Sequence, residues 1–216
     1  MSAQVEGPAP GAARGAAAKQ RILDAAAEAF MRRGFDATTI DDIADQLGAT
    51  KGLVYYHFRS KFDLFLAVYA EAMRRVRGRV EPHAGTGGAG RERLTAMSVA
   101  HLLNLMTDLA YHHTVHQGVR AQDSADLRVR QRDALIALNE LRQDYEDMFR
   151  RVIDAGVADG SLRAVDPRLA ARVLLSSLNG VDLWYRRIDG QPLAELEALA
   201  QAVAGLMIDG LARSPA

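Results

Sequence analysis

The sequence predicts an all-α protein of about nine helices, in which a small N-terminal helical domain precedes a larger helical body. Apolar residues recur at helical spacing along most of the 216-residue chain. Residues that favour helix N-termini stand before many of these runs. No pair of alternating segments predicts strands, and we find no internal repeat. A chain of this length can bury a sizeable core.

The composition favours a cytoplasmic protein that is not a general polyanion binder. Basic and acidic residues number 27 each, for a formal net charge of +0. Any affinity for nucleic acid must therefore come from where the charges lie. The lack of cysteine excludes disulfides and thiol catalysis and agrees with a reducing cytoplasm. No apolar run reaches about 18 residues, the length that predicts a membrane span.

The N-terminal segment predicts a disordered arm followed by a helix. Residues 1–18 are rich in Ala, Gly and Pro and lack the apolar core of a signal peptide. Helical periodicity then runs from about Ala17 to Arg33, with Phe30 in the apolar stripe. Gly34 is expected to end this helix.

The stretch from Thr39 to Lys61 carries the most specific pattern in the chain: a helix, a tight turn and a second short helix. Thr39 is a good N-cap, and Asp42 can return a hydrogen bond to it. Gly48 supplies the left-handed residue that ends the first of these helices. Thr50 is then expected to cap the second.

This second short helix has one face for a core and another for a partner. Val54 and Phe58 lie four positions apart and must face the core. The same rotation turns Lys51, Gly52 and Tyr55 outward, with further aromatic residues beside them. A helix that presents basic and aromatic side chains in this way suits the major groove of DNA.

Residues 19–69 resemble the DNA-binding domain of TetR-family transcriptional repressors, from KQRILDAAAEAFMRRGFDATTIDDIADQLGATKG into LVYYHFRSKFDLFLAV. The resemblance implies a helix-turn-helix DNA-binding domain over residues 19–63 and a ligand-binding and dimerisation domain over residues 64–212. Base contacts are expected from the outward face of the second short helix, and phosphate contacts from around it. The residues expected at the DNA are Thr39, Thr50, Lys51, Gly52, Tyr55, Tyr56, His57 and Lys61.

The helix that begins near Lys61 is predicted to continue to about Val80 and to belong to both domains. Its tilt would set the orientation of the DNA-binding domain. Residues 81–90 predict a flexible connector, residues 91–110 a further helix, and residues 111–118 a short polar and aromatic segment.

Three more helices are predicted, from about 126 to 155, 167 to 188 and 192 to 212. Asp166 with Pro167 is a strong start signal for the second of them. The last two are apolar on more sides than one core needs. The family resemblance implies a homodimer that joins these helices in a four-helix bundle, so that two DNA-binding domains meet a palindromic operator.

The patch around Trp184, Arg186 and Arg187 is the most distinctive feature of the larger domain. It could wall a pocket for a ligand with apolar and anionic parts, or anchor the dimer interface. It resembles regulators of lipid and steroid degradation in the same family. That resemblance implies a bulky effector, an acyl-CoA thioester being one candidate, and no other cofactor. The residues expected at the ligand are Leu102, Leu105, Met106, Tyr111, His112, Met148, Asn179, Trp184, Arg186 and Arg187.

Asp108, His112 and His116 fall at helical spacing, with His113 beside them. Such a stripe could ligate zinc if a helix continues there. Without a second acidic or cysteine cluster we assign no metal, and we expect these histidines to line the effector pocket or to lie on the surface.

No local motif predicts an enzyme, since a metalloprotease helix, a nucleophile elbow and a dinucleotide loop are all missing from the sequence. We therefore expect a ligand-released DNA-binding repressor that is not an enzyme. An all-helical enzyme, or an adaptor without DNA binding, is the alternative.

Overall fold

The computed structural model describes residues 10–121 and 129–209, with side chains for residues 14–117 and 129–209. The described residues form nine α-helices and one 3₁₀ turn without a β-sheet, which confirms the all-α prediction. The helices are α1 Pro10–Ala37, α2 Ile40–Gln46, α3 Lys51–His57, α4 Lys61–Ala84, α5 Gly90–Thr107, α6 Leu109–Ala121, α7 Val129–Ala158, α8 Pro167–Asn179 and α9 Leu193–Asp209, and the 3₁₀ turn is Gly180–Leu183.

The smaller domain packs α1, α2, α3 and the start of α4 around its own apolar core. Phe30 of α1 meets Phe65 of α4 edge to face, with ring centroids 5.7 Å apart. Ile43 of α2 and Val54 of α3 are fully buried. Each short helix is therefore held by a residue that its periodicity assigned to the core.

The predicted capping of α2 is confirmed. Thr39 Oγ1 accepts a hydrogen bond from Asp42 N at 3.1 Å, and Asp42 Oδ2 accepts one from Thr39 N at 2.9 Å. Hydrogen bonds from Thr39, and then from Arg33, lower the pKa of Asp42 to about 2. The ionised carboxylate at this helix N-terminus suits the helix dipole. Thr50 occupies the N-cap position of α3, but its side chain makes no capping hydrogen bond.

Helix α1 begins at Pro10, so residues 10–18 are helical and the prediction of a disordered arm is wrong for them. Proline is favoured at the first helical position, and the alanines that follow are the strongest helix formers. Gly34 interrupts the helix with a φ of +79°, at the position where the sequence predicted its end. Residues 1–9 of the predicted arm lie outside the described residues.

Lys61 ties the segment between α1 and α2 to α4. Its ammonium donates to the carbonyl oxygens of Phe35 at 2.7 Å, Asp36 at 3.2 Å and Thr38 at 2.8 Å. The same nitrogen lies 4.4 Å from the centroid of the Phe35 ring. Because a lysine ammonium has only three N–H donors, these contacts occupy all of them. The ammonium is therefore engaged within the fold, and its contact with a DNA phosphate stays a prediction.

The larger domain surrounds a second core, to which α4, α5, α7, α8 and α9 contribute. Its closest crossing joins α5 to α7, where a Cβ on Gly90 would collide with the backbone of Gly156. Asp159 Oδ2 also accepts a hydrogen bond from Gly90 N at 2.7 Å. The two backbones touch at this point, and neither position has room for a side chain.

Two predicted irregular segments are helical in the structure. Helix α4 continues to Ala84 and includes Pro82 in its last turn, although proline has no backbone N–H to donate to the preceding turn. The segment that follows α5 forms α6, because Tyr111 and Val115 pack against the core of the smaller domain. This tertiary contact is not visible in the local sequence.

Helix α8 ends at Asn179, and the prediction of a continuous helix to about residue 188 is wrong. The Asn179 side chain accepts a hydrogen bond from His101 of α5 at 2.9 Å, and the 3₁₀ turn follows. The predicted limits near residues 126 and 212 lie outside the described residues. None of the described helices combines the length and the hydropathy needed to cross a bilayer.

We expect Lys61→Met to lower the free energy of unfolding by about 2 kcal/mol, because hydrogen bonds from a charged donor to three carbonyl groups are lost. Urea denaturation of the full chain measures the change. Lys51→Met is the matched control, since the Lys51 side chain is 66% exposed and makes one ion pair, with Asp41 at 3.6 Å. Equal stability of the two variants would contradict the role given to Lys61.

Candidate DNA-reading helix and effector cavity

Helix α3 presents an uncovered aromatic and basic face. Tyr55 and Tyr56 are 52% and 83% exposed, and Lys51 and Gly52 are exposed one turn earlier. The rings of Tyr55 and Tyr56 are thus largely exposed on a helix of only seven residues. An exposed aromatic pair of this kind is suited to contact a partner molecule.

Gly52 is not required by the fold. A Cβ at this position would meet Thr50 Oγ1 at 3.6 Å, an ordinary contact, and no backbone atom. A glycine in an exposed helix usually weakens it relative to alanine. Contacts among the described residues therefore give no reason for a glycine at this position.

The other expected DNA contacts surround α3. Thr50 and His57 stand at its two ends, with His57 partly buried beside the Tyr56 ring at 5.0 Å between centroids. Thr39 is exposed, but its hydroxyl donates to Asp42 Oδ2 at 2.7 Å and so is used by the α2 cap. Lys61 is turned to the carbonyl groups described above. The structure thus brings the α3 residues together and leaves these two engaged elsewhere.

A cavity of about 760 Å³ lies in the larger domain, between α4, α5, α6, α7, α8 and the 3₁₀ turn. One part of its wall is apolar and includes Met73, Val76 and Leu175. The remainder is polar and carries most of the histidines of the chain. Its lining residues are Ala72, Met73, Arg75, Val76, His101, Asn104, Tyr111, His112, His113, Val115, His116, Gln117, Arg142, Tyr145, Glu146, Arg172, Leu175, Ser176, Asn179, Gly180, Asp182 and Leu183.

His101 lines the cavity and makes hydrogen bonds to two neighbouring helices. Its Nε2 lies 2.9 Å from Asn179 Oδ1, and its Nδ1 lies 2.8 Å from the Tyr145 hydroxyl. Since an amide oxygen only accepts, Nε2 carries the proton and Nδ1 accepts from Tyr145. Burial lowers the pKa of His101 to about 4. This histidine is therefore neutral near pH 7 and acts as a fixed link between α5, α7 and α8.

His112 and His116 lie one turn apart on α6, with ring centroids 4.7 Å apart. His116 Nδ1 is 2.9 Å from Asp182 Oδ2, on the 3₁₀ turn. Burial, and then the other histidines nearby, lower the pKa of His112 well below its usual range. His112 is therefore a neutral imidazole.

Four buried polar atoms in the cavity wall have no hydrogen-bond partner among the described residues. They are Asn104 Oδ1, His112 Nε2, Gln117 Oε1 and Arg142 Nε. Buried polar groups are normally paired, and each unpaired one is costly. The two amide oxygens are hydrogen-bond acceptors, and Arg142 Nε is a donor. The cavity wall can therefore hydrogen-bond to a molecule that carries both donors and acceptors.

The structure places three of the ten expected ligand residues in the cavity wall: Tyr111, His112 and Asn179. Four others are buried in the core because the helical stripe that suggested them packs on neighbouring helices. These are Leu102, Leu105, Met106 and Met148.

The remaining three lie on the outside of the molecule. Trp184 is 55% exposed, and Arg186 and Arg187 are exposed with it. Arg186 Nη1 donates to the carbonyl oxygens of Asp182 and Tyr185. Because α8 ends early, this segment leaves the helix and its side chains do not reach the cavity.

Sequence reasoning missed several polar lining residues, among them Arg75 and Asn104. Arg75 belongs to a run of arginines on α4, a pattern typical of a solvated face, although it stands between two buried positions, Met73 and Val76. That position at the edge of an apolar stripe was the available signal. Asn104 gave none, since only the tertiary packing brings it to the cavity.

Arg75 connects the cavity to the smaller domain. Its guanidinium lies 2.8 Å from Glu71, 3.0 Å from Asp108 and 3.2 Å from Asp24 of α1. The Tyr111 hydroxyl also donates to Asp24, at 2.7 Å. Burial, and then this bond to Asp24, raise the pKa of Tyr111, which keeps its proton. A single polar network therefore spans α1, α4 and α6.

A helix-turn-helix with an exposed second helix, joined by a long helix to a domain with a polar and apolar cavity, defines a ligand-responsive DNA-binding regulator. Two family models match the chain: "Bacterial regulatory proteins, tetR family" over residues 22–68, and "Tetracyclin repressor-like, C-terminal domain" over residues 87–211. The chain belongs to the TetR family of transcriptional regulators. This confirms the family resemblance and the prediction that the protein is a regulator and not an enzyme.

Known relatives match along most of the chain. The HTH-type transcriptional repressor KstR2 of Rhodococcus jostii (strain RHA1) is 28% identical over 195 residues, which cover 90% of this chain and 91% of that protein. The structure of PfmR from Thermus thermophilus matches with a TM-score of 0.73 and 30% identity over 89% of this chain and 100% of that one. AibR, solved with isovaleryl coenzyme A and operator DNA, has a TM-score of 0.69 at 22% identity, over 88% of this chain and 97% of that chain.

Proposed function

We propose that this regulator binds a palindromic operator as a homodimer, through α3 of each subunit, and that an effector in the cavity releases it. The observation that carries the proposal is the position of α6, which lines the cavity on one side and packs against α1 on the other. A molecule that enters the cavity thus acts on a helix in contact with the DNA-binding domain. Such a regulator works in the cytoplasm, where its operator is.

The exposed face of α3 supports its role in the major groove. Lys51, Tyr55 and Tyr56 are exposed on this face. Lys51 makes one long ion pair, with Asp41, and the Tyr56 ring contacts that of His57. Lys51 and Tyr55 are assigned to base edges, and Gly52 lets the backbone approach closely. Tyr56 adds base or phosphate contacts, while Thr50 and His57 at the ends of α3 hold phosphates.

The exposed apolar residues of the larger domain support a dimer through α8 and α9. On α8, Leu169 and Val173 stand one turn apart and are 61% and 57% exposed. On α9, Leu206 is 81% exposed. A stable interface needs a contiguous apolar centre, and Trp is a frequent anchor there. We therefore assign Trp184, which is exposed in the connection between these helices, to the interface and not to the ligand.

The coupling between cavity and DNA is proposed to run through α6 and Arg75. Tyr111 lines the cavity and donates to Asp24 of α1, and Gln117 Nε2 donates to Phe30 O of α1 at 3.1 Å. An effector that favours a different position of α6 changes the orientation of α1 and hence the spacing of the two reading helices in the dimer. Differential affinity of the effector for the two arrangements supplies the coupling free energy.

The effector is proposed to be a mid-sized molecule with an apolar part and a polar or anionic part. The cavity volume of about 760 Å³ is in the range of small-molecule sites, and its apolar wall faces unpaired amide oxygens and Arg142. An acyl-CoA thioester fits this description, and AibR was solved with isovaleryl coenzyme A. The arginines that line the cavity are Arg75, Arg142 and Arg172. We assign the anionic part to Arg142 and Arg172, because Arg75 is already held by three carboxylates. Arg186 and Arg187 do not line the cavity.

Gly52→Ala should leave the fold at least as stable and weaken operator binding by about tenfold or more. A methyl group at this position has room within the chain and raises helix propensity, but it occupies the space needed for the groove. Operator affinity is measured by fluorescence anisotropy and stability by thermal denaturation. Gly78→Ala on α4 is the matched control, since its Cβ also meets open space. Unchanged operator affinity of Gly52→Ala would remove α3 from the DNA.

Leu206→Glu should shift the protein from dimer to monomer, because a charge in a desolvated apolar interface is costly. Light scattering after size exclusion should give twice the 23.5 kDa chain mass for the wild type. Ile136→Glu on α7, at a position 52% exposed, should remain dimeric. A wild-type protein that is monomeric at micromolar concentration would refute the interface.

An effector of the proposed class should lower operator affinity by about 5- to 150-fold, the usual range of allosteric coupling. Parallel titrations with an acyl-CoA and its free acid, followed by anisotropy of a labelled operator, measure this. Arg142→Met should weaken the thioester more than the free acid, while the exposed Arg130→Met should not. If neither compound releases DNA, the effector is not an acyl-CoA.

The coupling route is tested in the same assay with Asp24→Asn. This change keeps the shape of the side chain and weakens its bonds to Arg75 and Tyr111. Effector binding, read as thermal stabilisation, should persist, while the effector-induced loss of operator affinity should shrink by about 2- to 30-fold. An undiminished release would show that the network does not carry the signal.

A further inference from the structure

The cavity wall contains a cluster of metal-ligating side chains that the proposed regulation does not use. His112 and His116 of α6 and Asp182 of the 3₁₀ turn each offer one ligand atom, and these atoms all lie within 4.8 Å of one another. The two histidines are four residues apart and share one face of α6. Asp182 comes from a distant part of the chain, so the fold assembles the cluster.

We propose that His112, His116 and Asp182 bind a divalent transition-metal ion, with zinc as the preferred occupant. Imidazole nitrogen and carboxylate oxygen are the ligands that zinc takes in proteins, and a set of two histidines and one carboxylate is common in open sites. Three protein ligands leave a further coordination position, and here it faces the cavity because all three residues line it.

His112 gives an independent indication of a missing ligand. The residue is only 9% exposed, and its Nε2 has no hydrogen-bond partner among the described residues. A buried imidazole nitrogen that makes no hydrogen bond is costly. Coordination to a metal ion would satisfy it.

Asp182 points to the same conclusion through its charge. The carboxylate is 5% exposed, and His116 at 2.9 Å is the side-chain partner that the described residues provide. A buried carboxylate needs a positive charge close by. A divalent cation at the cluster supplies it, and the alternative is a simple His116–Asp182 ion pair.

The distances allow binding after a small adjustment. Around a tetrahedral zinc ion, with bonds of about 2.1 Å, ligand atoms lie about 3.4 Å from one another. Side-chain rotations that shift the ligand atoms by about 1 Å bring a separation of 4.8 Å close to this value. The His116 side chain is 35% exposed, which leaves a path for the ion from solvent.

The test is a titration of the EDTA-dialysed full chain with Co²⁺, followed by visible absorption, and then displacement of Co²⁺ by Zn²⁺. We expect saturation at one ion per chain and intense bands of a four- or five-coordinate site. His112→Ala, His116→Ala and Asp182→Asn should each weaken binding by about 100-fold or more, since they remove a direct ligand. His113→Ala, which lies between the two ligating histidines but outside the cluster, should bind as the wild type does.

The outcomes are decisive in either direction. No saturable Co²⁺ binding to the wild type, or equal loss in the His113→Ala control, would overturn the site and leave only the ion pair. Circular dichroism of each metal-free variant confirms folding, and the near-isosteric Asp182→Asn and His112→Gln serve if an alanine variant does not fold. The Co²⁺ titration uses neither DNA nor effector. Failure of the same samples to bind the operator would therefore count against the proposed regulation and not against the metal site.

Discussion

The guanidinium group of Arg75 ties the two domains together by charged hydrogen bonds. Each domain has its own apolar core, and the unbroken helix α4 and the apolar contact of Tyr111 join them. Arg75 is 22% exposed and reaches carboxylates on α1, on its own helix α4 and at the start of α6, from Asp24, Glu71 and Asp108. Hydrogen bonds to a planar guanidinium are directional, so the contact fixes an angle as well as a distance.

The same constraint explains why α6 is central. Tyr111 stacks against Arg75, with the guanidinium carbon 4.0 Å from the ring centroid, and its hydroxyl meets Asp24. The ring is buried in the core of the smaller domain although α6 belongs to the larger one. A shift of α6 therefore disturbs both an apolar contact and a charged one. The buried polar atoms of the cavity wall that make no hydrogen bond lie on this helix and its neighbours. They lower the folding stability of the ligand-free protein, and a ligand that pairs with them would restore it.

The DNA-binding domain could be predicted because its signals are local. The cap formed by Thr39 and Asp42, the glycine turn and the four-residue spacing of Val54 and Phe58 each follow from residues close in sequence. The role of Lys61 could not, since its three carbonyl partners lie 23 to 26 positions earlier and only the packing of α1 against α4 brings them near.

The cavity was predictable only in outline. The apolar periodicity of the larger domain indicated buried helices but not which faces leave a gap between them, so it assigned to the ligand two leucines, Leu102 and Leu105, that do not line the described cavity. The helical spacing of His112 and His116 was visible, yet their third neighbour, Asp182, lies 66 positions beyond His116. The early end of α8 places it there, and a tertiary hydrogen bond between His101 and Asn179 lies at that end.

The contact of Gly90 with Gly156 limits sequence change at the end of α4 opposite the DNA-binding domain. Helices α5 and α7 meet there backbone to backbone, and the Leu162 side chain packs on Gly156. Asp159 accepts a hydrogen bond from Gly90 N at the same point. Any residue larger than glycine at position 90 would have to push the two helices apart. The distance between α5 and α7 is therefore set by a side chain that is absent.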